Sequence, residues 1–548
     1  MGNMNIQLDP VRLGGMPIAQ YFISRLGLNK VLEQHVQSDP RDKIASADTL
    51  DITLLNVILE RFPLYKMGAW ARERRLISVE LAECFNDDRV GRALDRLFKA
   101  DRAALLTDVV LTAIREFNLD TSAVHNDSTT VTLTGQYVGY KATKAAKPKR
   151  GHNKDHRPDL KQLLFSLSVT GDGAVPLYFK VWDGNVTDDR THIKNWMALR
   201  GLLDNANFTY VADSKLCTKE NMEFIASEGG YFVTVMPQTR TEDRHFKDWI
   251  QDHQPQWQEV IRRPDLRRKY SPQHVYSTFE SPFLTSEGFR VVWIKSSQKE
   301  QLDAQTRTDS IDKTAQDLAD FSMRVFKNRD RLEETIQKIL KSHGAQEYFH
   351  YQIEAFAEEN YRQDHKGRPG PKTKYTRIER KRYRFTWSHN SQAIRYASRC
   401  DGIFPLVTNR TKDTTKQILQ TYKFQPRLER RHSQLKSVYD VAPVFLKNPQ
   451  RIEALLFIYF LALLIDGLVE RDVRNAMTKA GLKSIPIYPE DRACRRPTAD
   501  KIYDLFRDVR LHQVTSGRQT QKIPDTLSTV QKQVLELLKI TPHLFFET

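Results

Sequence analysis

Residues 122–236 alternate between strand-like and helix-like text in an order that few folds accommodate. "SAVHNDSTTVTL" (122–133) is β-branched and bounded by turn residues, while "LLFSLSV" (163–169) and "AVPLYFKVW" (174–182) flank the glycine-bearing turn "TGDG", a hairpin signature. "DRTHIKNWMALRGLL" then has helical spacing, "FTYVAD" is a strand, "TKENMEFIASEGG" is a helix closed by glycine, and "YFVTVM" is a short buried strand. The order is strand, strand, strand, helix, strand, helix, strand. It predicts an α/β unit in which an antiparallel hairpin feeds a parallel part.

The chain has 548 residues, too many for one hydrophobic core, so several domains are expected. Residues 17–118 are rich in Leu, Ala, Arg and Glu at helical spacing and predict a helical N-terminal region, 1–118. The alternating segment occupies 119–237. From 238 to 405 the pattern lapses: "HVYSTFESPF", "GFRVVWIKSS", "YFHYQIEAF" and "YRFTWSH" surround a long charged helix near 310–343, which predicts a β-rich insertion. Helical text follows, expected to complete the core over 406–470 and to form a helical C-terminal region over 471–548. The apolar run "ALLFIYFLALLI" (454–465) is shut in by Glu453 and Asp466, and its twelve residues are too few to span a bilayer, so a buried core helix is expected. No secretory signal is visible in "MGNMNIQLDPVRLGG". The four cysteines lie far apart without Cys-x-x-Cys spacing, which argues against a zinc ribbon or disulfide scaffold and fits a reducing cytoplasm.

Lys and Arg number 85 against 68 Asp and Glu, a net charge of +17, which favours a polyanionic partner such as nucleic acid. Residues 141–161, "KATKAAKPKRGHNKDHRPDLK", hold eight Lys or Arg against two Asp, making Lys149, Arg150, Arg157 and Lys161 candidate phosphate contacts. Residues 361–387 hold ten against two acids, with Tyr361, Tyr375, Tyr383, Phe385 and Trp387 interleaved. That pairing suits DNA with an unstacked base, or else the aromatics face a subdomain core. His152, His156 and His432 are read as phosphate contacts or solvated side chains rather than metal ligands. Cys217 is read as a small packed residue.

Three carboxylates stand out. Asp127, on the first strand of the alternating segment, and Asp213, ending the fourth, fall on strands that this topology makes adjacent. Two carboxylates held together repel unless a cation lies between them, and oxygen donors suit a hard divalent ion such as Mg²⁺. A third acid allows two ions about 4 Å apart to clamp a phosphodiester. Glu429 in "TYKFQPRLERRHSQLK" is the best third acid. Tyr422, Gln425, Glu429 and Lys436 fall in one stripe of a regular helix, although Pro426 is tolerated only in a first turn, so the first two can precede it. Each acid also has a plain alternative: Asp127 as a turn residue, Asp213 as a helix N-cap, Glu429 as a solvated helix charge.

The element order is the layout of the ribonuclease H-like fold. With "HNDSTTV", "GHNKDHRPDLKQ", "GNVTD", "YVADSKL", "YFVTVMP" and the block Tyr-x2-Arg-x3-Glu-x6-Lys, the chain resembles the DDE transposases of bacterial insertion sequences, in the branch with a β-rich insertion before the third acid. The resemblance covers nearly the whole chain. It implies an endonuclease and DNA strand transferase of the bacterial nucleoid that acts on element ends and target DNA as a homodimer. It also implies that Asp127, Asp213 and Glu429 bind two Mg²⁺ ions per site, with Mn²⁺ able to substitute, while Tyr422 and Lys436 hold the DNA end. Gln425 stands at the usual arginine place, and Arg427 is the nearest guanidinium. Alternatives are a nuclease of the same fold that cuts without joining, and a catalytically silent DNA-binding remnant.

Overall fold

The computed structural model describes residues 6–135, 137, 144–264, 273–441, 446–516 and 519–547. The chain forms two compact units, one of Met1–Val235, Thr408–Arg410 and Gln420–Thr548, the other of Met236–Val407 and Thr411–Leu419.

The first unit contains the alternating segment as a mixed α/β arrangement. Strands β1 (Ala123–Leu133), β2 (Lys161–Thr170) and β3 (Pro176–Trp182) form an antiparallel meander; helix α1 (His192–Leu203) leads to β4 (Thr209–Ala212), and α2 (Lys219–Ser227) to β5 (Tyr231–Val235). Their spatial order is β3-β2-β1-β4-β5, with β4 parallel to β1 and β5 parallel to β4. All four residues of β4 and nearly all of β2 are buried, the signature of strands covered on both faces. α2 starts on the Thr218 cap and ends before Gly229, whose φ of +79° suits a residue without Cβ.

The apolar run at 454–465 lies inside α4 (Pro449–Lys479), preceded by α3 (Gln425–Ser433). α4 packs on the N-terminal helices Ser46–Leu59 and Asp87–Lys99 and on β3. The expectation that this helix is too short to span a bilayer is corrected: α4 has 31 residues and is long and apolar enough by composition, with 83% of its most apolar window buried inside the protein. The sequence suggested an end at Asp466, but that acid is buried within the helix and accepts from Tyr439, Gln434 and Tyr503.

The stretch after 479 is not purely helical. Arg510–Ser516 lies between Gln519–Pro524 and Ile6–Arg12 in an antiparallel three-stranded sheet. The pairing joins the two ends of the described chain, so local text around 510 could not announce it.

In the second unit, Gln258–Arg263, His274–Glu280, Arg290–Ser296 and Ile403–Thr408 lie side by side in that order. Phe349–Gln363 and Tyr375–His389 form a separate two-stranded antiparallel arm. The single long helix expected near 310–343 is two, Ser297–Ser322 and Arg329–Ser342, because Asn328 caps the second through its side chain. The arm's base packs on both around Leu318, Ile336, Phe349 and Phe385.

Candidate functional site

Strand register brings two of the acids together. The last paired residues of β1 and β4 are His125 and Val211, and two residues further along each chain come Asp127 and Asp213. With a side-chain period of two, both carboxylates leave the sheet at the same level. The Asp127 charge acts on Asp213, and both carboxyls are pushed above the usual carboxylate range, by burial first. Asp213 is not a helix N-cap: its Oδ1 accepts from the Lys215 amide at 2.9 Å, while Thr218 caps α2. The Thr234 hydroxyl on β5 donates to the Asp213 carbonyl at 2.6 Å and fixes the turn.

Two further side chains enter from loops. Lys154 Nζ lies 3.9 Å from Asp127 Oδ1 and 3.3 Å from Asp188 Oδ2, and donates to the Ser128 carbonyl at 2.5 Å. Ser128 Oγ in turn donates to Asp188 Oδ1 at 2.6 Å. Asp188, in "GNVTD", is therefore a fourth carboxylate at the site, whose charge raises the carboxyls of Asp127 and Asp213. Its acidic type in a turn gave no local signal of this.

The two loops meet through glycines. A Cβ on Gly184 would stand 1.9 Å from the Gln162 carbonyl oxygen, and one on Gly151 would stand 2.3 Å from that of Gly184. The Gln162 side chain closes the junction by donating to the Gly184 carbonyl at 2.8 Å. Thr130 and Thr132 of β1 then seat the segment, Thr130 Oγ1 accepting from the Lys154 amide and Thr132 Oγ1 donating to Asp155.

The third acid lies on α3. The single regular stripe does not form: one helix ends at Tyr422, α3 begins at Gln425 with Pro426 in its first turn, and Gln434–Val438 widen into a π turn. Glu429 is exposed on α3. Tyr422 nevertheless feels all three acids, its phenol raised well above its usual range by burial and then by Asp213, Glu429 and Asp127. Lys436 Nζ reaches Asp155 Oδ1 at 2.5 Å, tying the π turn to the Lys154 segment. The side chain of Gln425 lies outside the described residues. Arg427 stacks over Phe424, 4.1 Å from the ring centroid.

His432, one turn beyond Glu429, is not solvated. It is buried with Nε2 3.6 Å from Asp127 Oδ2, and desolvation together with Lys154 and Lys436 pushes its pKa down to about 3, so the imidazole is neutral. Helical spacing from Glu429 could have suggested that it faces the same centre. His152 and His156 are exposed, and Cys217 is packed.

The basic candidates divide. Lys149 pairs with Asp183 at 3.1 Å and Arg157 with Asp159 at 2.8 Å; Arg150 is exposed and Lys161 half-buried, and residues 141–143 lie outside the described residues. On the arm, Phe385 is buried and Tyr383 and Trp387 pack beside it, while Tyr361 and Tyr375 are exposed. The arm's charge excess shrinks, because Glu354, Glu358 and Glu359 on the facing strand pair with Arg384, Arg382 and Arg377. A count restricted to 361–387 omitted those acids.

Asp127, Asp213 and Asp188 supply hard oxygen donors, with Lys154 close to Asp127 and Asp188, a donor chemistry that suits Mg²⁺ or Mn²⁺ better than soft metals. Among the described residues no three acidic, His or Cys side chains already stand close enough to grip an ion. Lys154 occupies the position between Asp127 and Asp188.

Residues 9–111 match a family described as a domain of unknown function, DUF4277. No curated protein matches the chain. Among solved structures it is similar to the piggyBac transposase, seen by cryo-EM in a synaptic complex with hairpin DNA, at 8% identity and a TM-score of 0.38 over 91% of this chain and 82% of that one.

Proposed function

We propose that the protein is a DDE-type transposase, a metal-dependent enzyme that cuts DNA at the ends of an insertion sequence and joins the freed strand to target DNA. The first unit would be a ribonuclease H-like core, supported by the strand order β3-β2-β1-β4-β5 with an antiparallel meander beside parallel strands. The observation that carries the reading is the register of β1 and β4, which brings Asp127 level with Asp213, with Tyr422 in the field of both and of Glu429.

In this reading Asp127, Asp213 and Glu429 hold Mg²⁺, for which Mn²⁺ substitutes. When bound, two such ions stabilise the charge that develops on the attacking and leaving oxygens of an in-line phosphoryl transfer. The chain's own groups set the stage. The Ser128 amide and Lys154 favour the ionised form of Asp127, the Lys215 amide favours that of Asp213, and neutral His432 keeps water from one side of Asp127. Tyr422, Lys436 and Arg427, with Lys149, Arg150, Arg157 and Lys161, are the proposed DNA contacts, and a homodimer on paired ends would supply the two sites that paired cleavage needs. Lys436, held by Asp155, would share or exchange that partner for a DNA phosphate.

The test is Mg²⁺-dependent nicking and joining on a labelled duplex carrying the element's own ends. Wild type is expected to cut and join, while Asp213→Asn and Glu429→Gln bind the duplex and do neither. Cutting by both variants at the wild-type rate would refute the assignment of these acids. Binding without cutting by every protein would favour the silent remnant.

A further inference from the structure

The helix that presents Glu429 turns its other side to a cavity of about 310 Å³ in the first unit. α3 contributes Arg427, Arg430 and Arg431 to its wall, spaced for one face of a helix, and α4 and the segment after β-paired Cys494 contribute Arg474 and Arg496. Five guanidinium groups thus line one space with two carboxylates, Glu470 and Asp500. Glu470 is engaged by Arg431 at 3.0 Å and Arg474 at 3.1 Å, and Asp500 by Arg61 at 3.0 Å. The guanidinium groups also act on one another inside the wall. Arg474, lowered first by burial, is also pushed down by Arg431, Arg496 and Arg430.

Guanidinium groups that repel one another around an open space are stabilised by an anion that several can share, and their planar forks match phosphate oxygens. The wall is partly prebuilt. Arg431 is buried and donates to the Ala174 carbonyl at 2.9 Å, and Arg474 donates to that of Pro497 at 2.7 Å, so these two keep their places without a ligand. Arg430 and Arg496 are exposed at the mouth.

We infer that this cavity is a phosphoryl-binding site distinct from the acidic centre, which takes a DNA backbone phosphate on the far side of α3. The choice of DNA as the phosphate's source rests on the transposase reading; the phosphoryl chemistry does not. A phosphate held there bridges α3, α4 and the 496–498 segment, and so couples DNA engagement to the placement of Glu429.

The test uses the full chain in EDTA, so that no cutting occurs. Binding of a short fluorescein-labelled duplex is followed by anisotropy across a KCl series for wild type, Arg430→Gln/Arg496→Gln and Arg430→Lys/Arg496→Lys, and pyrophosphate binding is measured by calorimetry without DNA. The glutamine variant is expected to lose about 1 to 2 from the slope of log Kobs against log salt and about tenfold in affinity, and the lysine variant to keep most of the slope. Pyrophosphate binding that only the glutamine variant loses, with DNA binding unchanged, would keep the phosphoryl site but assign it a free ligand. Duplex and pyrophosphate binding that both match wild type in a folded glutamine variant would overturn the inference. Because no metal is present, either result is independent of whether Asp213→Asn abolishes cutting.

Discussion

Asp466 shows how a single acid can organise the neighbourhood of the helix that carries Glu429. It is buried in α4 and accepts from Tyr439 and Gln434 at 2.6 Å each and from Tyr503 at 3.0 Å. Gln434 and Tyr439 bracket the π turn that follows α3, and its wider winding lets residues five apart reach one acceptor. Burial, then Glu470, raises the Asp466 carboxyl to about 7, while Tyr439, Tyr503 and Arg431 oppose the rise. The folded value lies above the unfolded one, so between about pH 4 and 7 the folded state holds a proton that the unfolded state has lost. Stability from this group is present below pH 4 and falls as pH rises to 7, by on the order of 4 kcal/mol. The urea midpoint of wild type should therefore drop relative to Asp466→Asn between pH 5 and pH 8. Parallel midpoints would mean that the carboxyl does not titrate in this window. Asp466→Ala should lose about 2–4 kcal/mol near pH 4 by leaving Tyr439, Gln434 and Tyr503 without their acceptor, and less as pH rises to 7.

At the scale of elements, the loops matter more than their sequences suggest. The order and type of β1 to β5 were legible because β-branched runs, a glycine turn and helical spacing are local signals. Lys154 and Asp188 were not legible as partners, since their meeting depends on two loops docking through Gly151, Gly184 and Gln162. The break between Tyr422 and α3 was legible in Pro426, which is tolerated only in a first turn; the π turn after α3 was not. α4 outran its apolar stretch because Glu470 and Arg471 beyond it find ion partners in buried Arg431 and half-buried Asp172, which a hydropathy count reads as an end. The glycine junction offers a direct check. Gly184→Ala drives a methyl into the Gln162 carbonyl and should cost about 1–3 kcal/mol in urea unfolding. It should also weaken Mg²⁺-dependent cutting beyond what the lost stability explains, because the Lys154 and Asp188 loops shift. Wild-type stability and activity in this variant would show that the loops tolerate separation.

Across the whole molecule, the charge of +17 is not spread as bare cation. Three of the arm's arginines meet glutamates across the strand pair, Lys149 and Arg157 meet aspartates, and five guanidinium groups line the cavity behind α3. In the proposed reading the first unit offers two complementary centres on either side of α3, acids for a metal and arginines for a phosphate. The central claim is that the acids form a hard-metal centre, and the most direct measurement is titration of the protein with Mn²⁺, following free ion by electron paramagnetic resonance. Wild type should take up Mn²⁺ saturably, with Mg²⁺ competing, and Asp127→Asn and Asp213→Asn should lose that uptake while Asp466→Asn keeps it. Equal uptake by wild type and both aspartate variants would contradict the account.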